Sequence, residues 1–223
     1  MNRAVGWSLA LCLCFFAEQA TAQGLLGKSS VTVQYLGLHV GDEFDDFDVD
    51  LGNGGRLQAN FPLGIPNDET PWTIGIDAFG IFSGVGFDFD PNTPGLEMSA
   101  TFLGGDIGAI FYTRATENIR PFVQLGLNWT NANVEASAPG FSINDNVDSG
   151  ANLILHGGVE IDVFPAMSVR GSFGRGTDGL GIGTIGFLGE VIVRPGDNWF
   201  CRFSSSVDDE SNVLGAIGFG YAW

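Results

Sequence analysis

The sequence predicts an all-β protein: a closed antiparallel up-and-down transmembrane β-barrel of about ten strands. Three observations carry that prediction. The last eleven residues read VLGAIGFGYAW, so Val213, Ile217, Phe219, Tyr221 and Trp223 share one face of an extended strand. The other face, Leu214, Ala216, Gly218, Gly220 and Ala222, is almost all small. Such a strand suits hydrocarbon on the outside and a crowded interior on the inside. Similar alternation recurs along the chain in segments of about ten residues separated by turn residues. Finally, glycine takes 34 of 223 positions with no triplet period, and no stretch has helical periodicity.

The N-terminus reads as an export leader. Arg3 supplies a positive region, and Trp7 to Phe16 (WSLALCLCFF) is apolar but too short to span a bilayer as a helix. Ala20-Thr21-Ala22 offers small residues where a signal peptidase reads, which predicts a signal peptide over 1–22 and one β-barrel domain over 23–223. Cys12 and Cys14 follow Leu11 and Leu13, not the small residue that a lipoprotein site needs. Only Cys201 remains beyond the leader, so no internal disulfide is expected.

The strands follow in order. One is expected near Ser30 to Val40. Leu57, Ala59 and Phe61 then alternate with Gln58 and Asn60, and Trp72, Ile74, Ile76 and Ala78 with Thr73, Gly75 and Asp77. Leu103, Ile107, Ala109 and Phe111 oppose Asp106 and Gly108; Val123, Leu125, Leu127 and Trp129 oppose Gln124, Gly126 and Asn128. Leu153, Leu155, Val159, Ile161 and Val163 oppose Asn152, His156, Glu160 and Asp162. Met167, Val169 and Phe173 oppose Ser168, Arg170 and Ser172. Ile185, Phe187, Val191 and Val193 oppose Gly186, Glu190 and Arg194, and Trp199, Cys201 and Phe203 oppose Arg202 and Ser204. With the last strand the count is about ten; eight is the alternative, if 28–62 is irregular.

Connections sort into two sets. Residues 62–71, 113–119, 164–166 and 195–198 are short or proline-marked, whereas 41–50, 84–95, 131–149, 174–183 and 207–212 are longer, acidic or glycine-rich. That is the asymmetry of short turns on one side of a membrane and longer loops on the other. Trp72, Trp199, Tyr221 and Trp223 fall at strand ends on the short-turn side, and Trp129 lies about eight residues up its strand. They are expected to form the aromatic belts that sit at membrane interfaces.

Charge bears on chemistry. Acidic residues outnumber basic ones 26 to 9, for a net charge of −17, which opposes nucleic acid as a partner by phosphate repulsion. Arg56, Arg170, Arg194 and Arg202 lie on polar strand faces, as do Asp77, Asp106, Glu160, Asp162 and Glu190. Aligned by their short turns, Glu160, Arg170, Glu190 and Arg202 come to similar depth on successive strands with alternating sign. A luminal ion-pair layer is expected, with Phe79, Leu188 and Phe200 also pointing inward; a conducting constriction is the alternative. Acid–base catalysis is not expected, because the chain has only two histidines, His39 and His156. His156 is expected in the bore; His39 is expected at the outer rim, followed by Asp42 and Glu43. No cofactor is implied. Asp46, Asp48 and Asp50 alternate as D-x-D-x-D, a Ca²⁺ or Mg²⁺ candidate without the bidentate glutamate of a calcium loop. A solvated acidic loop that repels its neighbours is the simpler reading and the preferred one.

The Arg120-Pro121-Phe122-Val123-Gln124-Leu125-Gly126 strand start, Gly157-Gly158-Val159-Glu160, and the aromatic end Phe219-Gly220-Tyr221-Ala222-Trp223 resemble the OmpA/OmpX-like small bacterial outer-membrane β-barrel family, over the whole mature chain. The resemblance implies export through the periplasm to the outer membrane, contact with its lipid, and assembly by the barrel assembly machinery acting on the last strand. It further implies a non-enzymatic role in envelope structure or surface interaction through the acidic outer loops. The His-x-Ser of outer-membrane lipid A deacylases and the Asp-His of omptin-type proteases are both missing. A narrow channel for ions or small solutes is the first alternative. The second is a secreted soluble barrel that binds a lipophile, which requires apolar faces inward and charged faces outward.

Overall fold

A computed structural model describes residues 24–39, 48–49, 51–64, 74–90, 96–175, 185–209 and 211–223. The expected leader, 1–22, lies outside the described residues. Eleven strands form one antiparallel sheet: β1 (Ser30–His39), β2 (Asp48–Val49), β3 (Gly52–Gly64), β4 (Gly75–Asp90), β5 (Glu97–Tyr112), β6 (Ile119–Ala138), β7 (Phe141–Phe164), β8 (Met167–Arg175), β9 (Ile185–Val193), β10 (Trp199–Asp208) and β11 (Val213–Ala222). Their order is β2-β4-β3-β1-β11-β10-β9-β8-β7-β6-β5, and β4 also pairs with β5, so the ring closes. The wall is a barrel of 10 strands. β2 is a two-residue addition on the tip of β4, Asp48 opposite Asp90 and Val49 opposite Phe89.

Alternation decides which face each residue takes. Val33, Phe61, Ile107, Leu127, Phe173 and Phe219 are exposed on the outer wall, while Gln34, Arg56, Asp106, Asn128, Glu160, Arg170 and Arg202 are buried in the bore. Water would make that exterior unfavourable at about 25 cal/mol per Å² of apolar surface, and hydrocarbon would not. The soluble alternative requires the opposite arrangement. Closure leaves no ladder edge around the ring, because β1 pairs β11 from Ser30↔Ala222 to His39↔Val213.

The bore is filled in tiers. Toward the short turns, Leu25 packs with Ile192, Phe200 and Ala222, and Leu26 with Phe79, Ile110, Tyr112, Phe122 and Ile154. Toward the other end, Leu36, Leu38, Val85, Phe87 and Leu214 form a third apolar cluster. Charged and amide side chains lie between.

Strands β4 to β7 run further than their alternation suggests. Residues 84–90 and 131–138 are ladder rather than loop, and β6 and β7 meet at a turn over Pro139 and Gly140. The pairing Phe89↔Met98↔Ala136↔Ile143 carries these strands beyond the apolar wall as an extended sheet. The apolar-out signal ends where hydrocarbon ends, so the sequence pattern there reads as loop.

Candidate functional site

Antiparallel register sets the charges of the bore opposite one another. Arg120 stands across from Glu160, Glu160 from Arg170, and Arg170 from Glu190. Arg202 is diagonal to Glu190, whose direct partner on β10 is Ser204. All of these side chains are buried. Arg170 Nη2 donates to Glu160 Oε2 at 2.6 Å, and Arg170 Nη1 lies 3.6 Å from Glu190 Oε2. Arg202 Nε donates to Glu190 Oε1 at 3.0 Å, and its Nη2 contacts the same oxygen. Across the bore, Arg202 Nη1 donates to Gln58 Oε1 at 2.7 Å. On the far side Arg120 Nε donates to Glu160 Oε1 at 3.1 Å, and Arg120 Nη2 lies 2.5 Å from Asp162 Oδ2. The guanidinium of Arg170 also lies over the Phe122 ring, 5.4 Å from its centroid.

Glu160, Arg170, Glu190 and Arg202 therefore fall in one chain of contacts. Arg120, Asp162 and Gln58 extend it, and sequence reasoning missed their part in it. The pairing of Arg120 depends on the β6–β7 register, which stays hidden when 131–149 is read as a loop. Buried charges of this kind are tolerable only when paired and hydrogen-bonded, which these largely are. Asp106 accepts from Asn128 Nδ2 at 2.6 Å, and Arg56 Nε donates to Ser83 Oγ at 3.2 Å. A void of about 30 Å³ is left among Arg56, Gln58, Asp106, His156, Arg170 and Arg202, room for about one water molecule. Phe79 and Phe200 are buried inward, and Leu188 borders that void.

The aromatic residues gather at two levels. Trp199, Tyr221 and Trp223 lie on the outer wall at the short-turn end, with ring centroids 5.1 Å apart for Trp199–Tyr221 and 6.1 Å for Tyr221–Trp223. Phe61 joins them edge-on to Trp223 at 6.4 Å. Trp129 is further along the wall against Phe82, at 6.1 Å. Trp72 lies outside the described residues.

Asp46 and Asp50 also lie outside the described residues, and only the backbone pairing of Asp48 is described. Among the described residues no group of three or more His, Cys, Asp or Glu is arranged to hold a metal ion. His156 is buried in the bore, and His39 ends β1 on its exposed face. Asp42 and Glu43, the expected neighbours of His39, are outside the described residues. At the short-turn mouth, burial and the nearby Arg194 and Arg120 push the pKa of the Lys28 ammonium down.

Above the wall, β4 to β7 frame an open cleft of about 640 Å³ bordered by Asp88, Phe89, Glu97, Met98, Glu135 and Ile143. Glu135 Oε1 accepts from Asn133 Nδ2 at 3.2 Å and from Asn144 Nδ2 at 3.0 Å, tying the hairpin across its outer face.

This geometry has counterparts among solved proteins. The transport unit of the autotransporter AIDA-I from Escherichia coli superposes with a TM-score of 0.55, at 10% identity, over 100% of this chain and 100% of that one. The fold is that of a bacterial outer-membrane β-barrel. The translocator domain of the autotransporter NalP from Neisseria meningitidis is similar at a TM-score of 0.50 and 10% identity, covering 99% of this chain and 96% of that one. Ail, the attachment invasion locus protein of Yersinia pestis, aligns more loosely, at a TM-score of 0.41 and 17% identity over 88% of this chain and 99% of its own. No protein-family model matches the sequence, and no curated protein matches it.

Proposed function

We propose that the protein is a non-enzymatic integral protein of the bacterial outer membrane whose acidic outer hairpins form its working surface. One observation carries the reading: a closed ring of strands turns apolar side chains outward and its charges inward. Only a hydrocarbon surround makes that arrangement favourable. The aromatic residues at two levels suit the two interfaces of a bilayer, with Trp199, Tyr221 and Trp223 at the periplasmic one and Trp129 at the outer one. On this reading the leader over 1–22 directs export through the periplasm, and β11 is the strand that the barrel assembly machinery recognises.

The outer hairpins are the part left to meet a partner. No lysine or arginine occurs between Arg56 and Arg114 or between Arg120 and Arg170, so β4 to β7 rise above the wall carrying acids alone. A cationic partner is favoured there and an anionic one opposed. Weak bridging by divalent cations through Asp46, Asp48 and Asp50 belongs to the same surface. The filled bore favours a structural role for the Glu160–Arg170–Glu190–Arg202 layer over a conducting constriction.

An epitope inserted at Gly140 in the expressed full chain tests the orientation. Intact cells should bind the antibody, and the protein should sediment with the outer membrane until detergent releases it. Recovery in the soluble periplasmic fraction, or an epitope seen only after the cells are opened, would overturn the reading. In planar bilayers the purified protein should show no steady conductance.

A further inference from the structure

Residues 24–29, directly ahead of β1, do not trail away from the barrel; they enter it. Gly24, Leu25 and Leu26 are buried, Leu25 at 1% exposure, although no ladder bond holds any of them. Leu25 to Lys28 make a tight turn in which the Lys28 N–H donates to Leu25 O at 3.2 Å. Its third residue, Gly27, has φ +81°, a left-handed conformation suited to glycine. The bore grips this strap by its backbone: Gly27 N–H donates to Asp77 Oδ2 at 2.8 Å, and Leu26 N–H to Glu160 Oε1 at 3.5 Å. The two leucines complete two separate apolar clusters on opposite walls. A Cβ at Gly24 would lie 1.5 Å from Glu160 Oε1, so a side chain there must either push the Glu160 carboxylate off its arginine partners or leave the bore. Ser29, where Trp223 N–H donates to the carbonyl at 3.0 Å, ties the strap to the wall.

We propose that residues 24–28 are a tethered plug, a strap that closes the short-turn mouth and whose withdrawal admits water-borne solutes to the bore. Two features set it apart from wall. It is held by side-chain contacts rather than by a ladder, so it can leave without opening the ring. It also lies between the mouth and the central void that Ser172 borders. At the opposite end the Leu36, Leu38, Val85, Phe87 and Leu214 cluster stands in the way, so withdrawal opens a vestibule reached from one side, not a through-channel. The inference holds whatever the outer hairpins bind.

The test uses the full chain, purified and folded in detergent, with Cys12→Ser, Cys14→Ser, Cys201→Ser and Ser172→Cys, so that position 172 carries the one thiol. A small charged methanethiosulfonate reagent reports access to the thiol at position 172. With the strap intact the thiol should be protected. Adding Leu25→Asp and Leu26→Asp should speed labelling about a hundredfold, since each buried leucine favours the closed strap by about tenfold or more. Gly24→Val, which expels the strap by collision with the Glu160 carboxylate and adds no charge, should do the same. Equal labelling with and without these changes would overturn the proposal, whether fast or slow. So would failure of both variants to give a folded barrel by circular dichroism, because a removable plug cannot be required for the ring to form.

Discussion

The wall and the sheet above it are built from the same strands with the same pleat, yet their chemistry is reversed. On β6 the outward residues run Val123, Leu125, Leu127 and Trp129, then Asn131, Asn133, Glu135 and Ser137. The inward residues run Gln124, Gly126, Asn128 and Thr130, then Ala132, Val134 and Ala136. Neighbouring β5 changes over at the same height, from Leu103 outside to Thr101, Ser99 and Glu97, and from Asp106 inside to Phe102, Ala100 and Met98. The reversal teaches that a strand face is not intrinsically apolar or polar. It takes the polarity of whatever it meets, hydrocarbon below and water above. The stretch from Arg120 to Trp129 matches the nine to eleven or so residues that a tilted strand needs to cross a bilayer.

Substitutions can break this contrast or sharpen it, and the expected effects fall in a clear order. Glu160→Gln should destabilise the barrel most, by about 3–5 kcal/mol, because Arg120 and Arg170 lose a shared counter-charge in a buried layer. Urea unfolding in detergent micelles measures this. Replacing Glu160 and Arg170 together with methionine should recover part of the loss, and no recovery would mean that the two do not act as a pair. Leu125→Arg, on the outer wall between the two aromatic levels, should cost about 2–4 kcal/mol when unfolding is followed in lipid. The comparison that sharpens it is Asn133→Arg, four residues beyond Trp129 on the same face, which should cost almost nothing. Equal costs would show that the apolar wall does not end where β6 changes character. Trp129→Ala should lose about 0.5–1.5 kcal/mol with its packing on Phe82, and the fluorescence quenching by headgroup-level probes that it supports. Smallest of all, Glu135→Gln should move stability by about 0.5 kcal/mol or less, since its two hydrogen bonds lie at the exposed surface, where water replaces them.

What the sequence disclosed followed the same boundary. Inside the wall, every second residue must be apolar, so Val123 to Trp129 or Leu153 to Val163 announces both the strand and its facing. The depth of Glu160, Arg170, Glu190 and Arg202 could be reckoned because tight turns at 164–166 and 195–198 fix where each strand starts. Above the wall that constraint vanishes, and the ladder of 131–138 with 141–148 left no outward apolar trace of period two. The loss had a second consequence, since without that hairpin the pairing of Arg120 with Glu160 could not be placed. The strap at Leu25 and Leu26 was invisible for a different reason: two adjacent apolar residues have no periodicity, and their burial depends on a cavity that exists only once ten strands have closed.

The seam between β1 and β11 has a kinetic meaning. Its two sides, Ser30 to His39 and Val213 to Ala222, are the most distant strands in the chain, while every other neighbouring pair is joined by a hairpin or is close in sequence. The remaining strands can zip up by short steps, but the final suture waits on a loop of nearly the entire polypeptide. Until it forms, two long rows of unsatisfied amides and carbonyls stand open, inviting a second molecule to dock edge to edge. Slow ring completion, not weak hairpins, is then the step at which newly made copies are most exposed to mispairing.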